Sequence, residues 1–148
     1  MNGIVIGTDG SQSSRAAVES GVELAGPTRA PLTVAYVMRA PSPVLGRPYY
    51  QRALSRELAK GRAALDEAAT LVHAAGLECE TELVEGKAAE ALLSTARARD
   101  AGLIVVGSRG LGVVNGTLLG SVSRRVVHDA DRPVLVVTQR HRRARLAA

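Results

Sequence analysis

The chain has 148 residues, 46% of them apolar, with no Trp, no Phe and a formal charge of +5. That length suits one core rather than two domains, and a core of Val, Leu, Ile and Ala suits a parallel sheet covered by helices. The apolar runs fall far short of the roughly 20 residues of a membrane span. The lone Cys79 rules out an internal disulfide, and no basic leader precedes the first apolar run, so a soluble protein of a reducing cytoplasm is expected.

Short β-rich runs alternate with stretches of helical period, as in an α/β fold. A first strand is predicted over Ile4 to Thr8. Residues 10–14 then offer several hydroxyls to cap a helix with Ala17, Gly21, Leu24 and Ala25 on its apolar side, and Gly26-Pro27 is expected to end it. The second strand runs Leu32 to Met38. Pro41, Pro43, Gly46 and Pro48 follow, and predict a loop too rich in proline for regular structure. Leu54, Leu58, Gly61, Leu65, Ala68 and Val72 recur at spacings of three and four, which places them on one face of a long helix closed by Gly76.

Strand three differs in kind. Leu77, Cys79, Thr81 and Leu83 alternate with Glu78, Glu80 and Glu82, so one face is wet, as at a sheet edge, and Cys79 points inward. An Ala-rich helix over residues 88–99, strand four from Leu103 to Val106, a Gly-rich stretch, a helix from Ser121 to about Ala130 and strand five from Val134 to Val137 complete the chain. Right-handed crossovers and the wet third strand predict a doubly wound, Rossmann-like, five-stranded parallel sheet in the order 3-2-1-4-5, with four helices on both faces. The chain reversal then falls between strands one and four, where such sheets bind ligands.

Residues 139–148 carry Arg140, Arg142, Arg143 and Arg145 without an acid, leaving 15 basic and 14 acidic residues in the first 138. A nearly neutral domain over 1–138 and a flexible basic tail over 139–148 are expected. No Phe, Tyr or Trp interleaves with the arginines of the tail to stack bases, so nucleic-acid binding is not expected.

The most informative stretch runs from Val106, Gly107, Ser108, Arg109 and Gly110 through Gly112 and Gly116 to Gly120, Ser121, Val122 and Ser123. Glycines leaving a buried strand and entering a helix let backbone amides approach a ligand, and the helix start attracts an anion. A phosphate cradle with Ser121 and Ser123 as added hydroxyl donors is the favoured reading; a surface loop whose glycines only turn the chain is the competing one. A Walker loop is excluded, because Gly86-Lys87 is followed by Ala88, and Gly110-Leu111-Gly112 lacks the third small residue of a dinucleotide fingerprint.

The spacing Gly107-x2-Gly110-x9-Gly120-Ser121, with Val122 and Ser123 and the later Arg132-Pro133-Val134-Leu135-Val136-Val137, resembles the ATP-binding branch of the universal stress protein family. The match extends to the Ile-Gly-Thr-Asp-Gly-Ser opening at residues 6–11, which includes Gly7, Thr8 and Asp9, and to the order of elements over about 2–138. The resemblance implies ATP, with or without magnesium, whose base and ribose lie near Asp9, Val37 and Gly107, with phosphates at Gly110, Gly120, Ser121, Val122 and Ser123. Gly7 stands where some members carry a bulkier residue, which predicts a looser base pocket. Asp9 reads either as an acceptor for the nucleotide or as a helix cap, and Arg109 faces phosphate or solvent.

No water-positioning base or metal set is evident beside the Gly-rich stretch. His128 neighbours Asp129 and Asp131 in a surface or helix-terminal role, His73 has no recognisable partner, and Ser11, Ser13 and Ser14 lack a nucleophile elbow. The expectation is a nucleotide-dependent regulatory module, with at most weak ATP hydrolysis, in which ATP alters a surface read by a protein partner. A slow nucleotide hydrolase or nucleotidyl-transfer enzyme and a ligand-free assembly module are the alternatives. Strand five is apolar on both faces yet predicted at an edge, which points, in line with the family, to a homodimer through Val134 to Val137.

Overall fold

In the computed structural model, which describes residues 2–109 and 119–138, the runs expected as strands form five parallel strands, of which β1, β2 and β4 are largely buried. Strand β1 is Ile4–Gly7, followed by helix α1 (Gln12–Thr28), β2 (Leu32–Met38), α2 (Arg47–Ala74), β3 (Cys79–Glu85), α3 (Ala88–Ala98), β4 (Leu103–Gly107), α4 (Ser121–Asp129) and β5 (Val134–Val137). All strand pairs are parallel, in the order β3-β2-β1-β4-β5. Central β1 pairs Ile4 with both Leu32 and Leu103.

Alternation along the strands makes two cores. Ile4, Ile6, Val34 and Tyr36 pack with Ala17, Val18, Leu65 and Val72 of α1 and α2 on one face. Val5, Ala35, Ile104 and Val106 pack with Leu92, Leu93, Ala96 and Val126 of α3 and α4 on the other. Ile4, Val5 and Ile6 are all within 1% of complete burial, so β1 has no wet face. The edge strand β3 departs from the expected alternation: Thr81, expected inward, is exposed, and Glu82, expected outward, is half-buried where it pairs with Arg99, while Cys79 packs half-buried against the first core, where burial raises its thiol pKa.

Two proline readings need correction. Helix α1 continues through Gly26 and Pro27 to Thr28 and stops at Arg29, whose φ of 53° is left-handed. In the final turn the ring's missing N–H costs a single helical bond, too little to end the helix two residues sooner. The segment after β2 is likewise more ordered than expected. Pro43–Leu45 form a 3-10 turn, and Pro48 lies in the first turn of α2, where its absent N–H has no helical acceptor to satisfy. His73 also has a partner, the carboxylate of Glu78 at 3.2 Å.

Candidate functional site at the β1–β4 switch point

After β1 the chain turns into α1 and proceeds to β2; after β4 it proceeds the other way, to β5. The two departures leave a crevice at the carboxyl ends of the strands. A cleft of about 310 Å³ occupies it, within the range at which small-molecule sites occur. Its apolar wall is made of Ala35 and Val37 of β2, Val106 of β4 and Leu92 of α3.

The β1 side is built by a hydroxyl-rich turn. Ser11 caps α1, its Oγ accepting the Ser14 amide at 3.2 Å, while the Ser14 hydroxyl donates to the Ser11 carbonyl at 2.9 Å. The Thr8 and Ser14 hydroxyls meet at 3.1 Å, and the Ser11 amide donates to Asp9 Oδ1 at 2.9 Å. Asp9 therefore braces the turn, but the cap itself is Ser11. Asp9 also lines the cleft, together with Gly7, Thr8 and Ser14.

The β4 side depends on one close approach. A Cβ on Gly107 would lie 2.6 Å from both the carbonyl carbon and the hydroxyl of Ser13, so only glycine lets α1 seat against the end of β4. The Ser13 hydroxyl then accepts the Arg109 amide at 3.2 Å. Ser108 is buried and stands outside the cleft wall. Its amide donates to the Val137 carbonyl, and its carbonyl accepts the Gly120 amide at 2.6 Å and the Ser123 hydroxyl at 3.0 Å. Ser108 thus fixes the start of α4 relative to β4.

Gly120, Ser121, Val122 and Ser123 line the cleft opposite Asp9. The first helical bond of α4 runs from the Arg124 amide to the Gly120 carbonyl, so the amides of residues 121–123 have no partner within the helix. No side chain caps them, because the cap residue is Gly120. Together they present the positive end of the helix dipole, about half a unit charge. The Ser123 hydroxyl is 3.0 Å from the Ser108 carbonyl and 3.1 Å from the Gly120 carbonyl, so it offers the cleft lone pairs rather than a proton. Ser121 is exposed and carries no such tie.

Of the residues expected from sequence, the structure gathers Gly7, Thr8, Asp9, Val37, Val106, Gly107, Arg109, Gly120, Ser121, Val122 and Ser123 around this one cleft. Gly110 and the tail 139–148 lie outside the described residues. The space beside Gly7 is not loose: a Cβ there would come 2.9 Å from Leu92 Cδ2, so Leu92 already fills it. Ser14, Ala35, Ala88 and Leu92 also line the cleft and were missed. The period-two rule that selects Val37 selects Ala35 as well. The four-residue spacing of Ala88 and Leu92 puts them on one helix face, but only the topology shows that this face meets the crevice. Among the described residues no cluster of His, Cys, Asp and Glu is able to hold a metal, and no helix is long and apolar enough to cross a membrane.

The profile of the universal stress protein family matches residues 1–138. The chain belongs to that family. It is 36% identical over 135 residues to the universal stress protein in the QAH/OAS sulfhydrylase 3'region of Thermus aquaticus, spanning 90% of this chain and 96% of the relative. Among solved structures, the universal stress protein UspA from Lactobacillus plantarum superposes with a TM-score of 0.82 at 26% identity, over 91% of this chain and 96% of that one. A universal stress protein crystallised in complex with cAMP is 35% identical, with a TM-score of 0.72 over 90% of this chain and 94% of its own.

Proposed function

We propose that this universal stress protein binds ATP in the β1–β4 cleft and works as a dimeric, nucleotide-dependent regulatory module whose state is read by a protein partner. The observation that carries the reading is the pairing of chemistries across the cleft. An apolar wall and the Asp9 carboxylate suit a base and ribose, while the uncapped amides of α4 in the same cleft suit phosphate oxygens. The 35% identical relative that holds cAMP supports an adenine nucleotide in particular. A nucleotide in this position touches β1, β4 and α4 together, so its binding free energy favours one relative placement of these elements, which is how a ligand biases a surface elsewhere. Arg109, on the cleft wall, is placed to meet phosphate charge.

The test is calorimetric titration of nucleotide-free protein with ATP, ADP and cAMP, each with and without magnesium. ATP binding at micromolar or lower Kd, tighter than that of the other two, is expected. Absence of binding by all three removes the reading, and preference for cAMP removes ATP from it.

A further inference from the structure

Charge is unevenly spread over the molecule. Residues 39–62 hold six basic side chains, Arg39, Arg47, Arg52, Arg56, Lys60 and Arg62, against the single acid Glu57, whereas the rest of the first 138 residues holds nine basic and thirteen acidic. Ion pairing differs for the arginines, although Lys60 within the segment pairs with Glu57 at 3.2 Å. Arg15, Arg97, Arg99, Arg125 and Arg132 each contact a carboxylate. Among the described residues none of the five arginines between 39 and 62 has an ion pair or a side-chain hydrogen bond.

Among the described residues, the same segment holds the most exposed large apolar side chains. Val44 is 91% exposed, Tyr49 64% and Leu45 50%. Val44 and Leu45 sit on the 3-10 turn, and Tyr49 opens a stripe on α2 that continues through Arg52, Arg56 and Lys60 at spacings of three and four. That stripe lies opposite the buried face of α2, which carries Gly61, Ala64, Leu65, Ala68 and Val72.

We propose that this corner docks the protein on an anionic lipid bilayer, with Val44, Leu45 and Tyr49 entering the headgroup layer and Arg47, Arg52 and Arg56 held by lipid phosphates. Unpaired basic residues beside an apolar tip are complementary to such a surface, where charge and apolar insertion act together. A protein partner's anchoring side chains ordinarily seat in recesses. Here the apolar side chains project from an exposed turn, and no residue of 39–62 lines the switch-point cleft. Helix α2 covers β2 and β3, at the opposite end of the sheet from β5, so pairing through β5 leaves the corner free. The proposal is independent of nucleotide binding.

The experiment is co-sedimentation of the full chain with vesicles of equal parts phosphatidylglycerol and phosphatidylcholine, and with pure phosphatidylcholine. The wild type is expected to sediment with the first and not the second. R52Q/R56Q should weaken binding about fivefold per arginine removed, and V44S/L45S about tenfold. A variant with the four tail arginines changed to glutamine should bind as the wild type does. No sedimentation with anionic vesicles, equal sedimentation with neutral ones, or loss confined to the tail variant overturns the proposal. So does binding to soluble polyglutamate in preference to vesicles with the same dependence on Arg52 and Arg56, which would assign the corner to an acidic protein instead.

Discussion

Gly107 shows how a single residue serves both packing and site. Its sequence context suggests a glycine that lets a ligand approach, but the atoms nearest its missing Cβ belong to Ser13, at 2.6–2.7 Å, and two of the three are backbone. Backbone cannot yield as a side-chain end does, so G107A must push α1 away from β4. A loss of about 1–3 kcal/mol is expected, the usual cost of overpacking, read as a lower urea midpoint at unchanged slope. A midpoint within error of the wild type would mean that the Ser13 contact is not held in solution. The residues legible from sequence were those whose type is unusual for their place, such as a carboxylate at a strand end or glycines at a helix start. Leu92 was illegible for the opposite reason: an apolar residue lining a cleft has the same sequence signature as one in the core.

At the scale of elements, the strands and their order were readable because burial on both faces demands continuous apolar runs and an edge tolerates Glu80 and Glu82. Helix ends were less so, since Pro27 and Pro48 cost little in a last or first turn. Helix α4 allows the site to be separated from the fold. G120D would place a carboxylate at the N-cap, where Asp and Gly differ in stability by only a few tenths of a kcal/mol, yet the new charge would occupy the amides offered to phosphate. Titration with ATP should therefore show at least tenfold weaker binding with the thermal midpoint almost unmoved; unaltered affinity would take the phosphates away from α4.

The other end of α4 leads to a charged clasp. Arg132 donates to the carbonyls of Ala96 and Ala101, at 3.0 and 2.8 Å, and to Asp131, which also meets Arg97 at 3.2 Å. Hydrogen bonding to Arg132, and secondly to Arg97, holds the Asp131 carboxyl far below the ordinary carboxylate range. A lowered folded pKa stabilises the fold above the unfolded value of about 3.9, and this contribution disappears as pH falls through the folded value. Acid titration followed by circular dichroism should show a shallower loss of stability below about pH 4 in D131N than in the wild type. The difference should be modest, because the group is exposed and Asp129, lowered by His128 and Arg125, titrates alongside it. Superimposable acid limbs would mean that the clasp is open in solution.

For the whole molecule, the decisive asymmetry is between the two edges of the sheet. Strand β3 turns Glu80 and Thr81 to solvent, and charge on an edge discourages pairing. Strand β5 carries no charge, and Val134, Leu135 and Val136 remain half-exposed although each packs partly against a core. An uncharged apolar edge of this kind is ordinarily covered, and a second β5 across a two-fold axis would cover it with an identical apolar strip. The universal stress protein is therefore expected to sediment as a dimer at micromolar concentration. V134E/V136E should dissociate it, since carboxylates from both copies would face one another across the new pair, and like charges there are destabilising. Retained helix and sheet signal in the dissociated variant would place the effect at the interface rather than the core. A wild type that sediments as a monomer throughout the micromolar range would leave β5 an uncovered edge and remove the dimer from the proposed regulatory role.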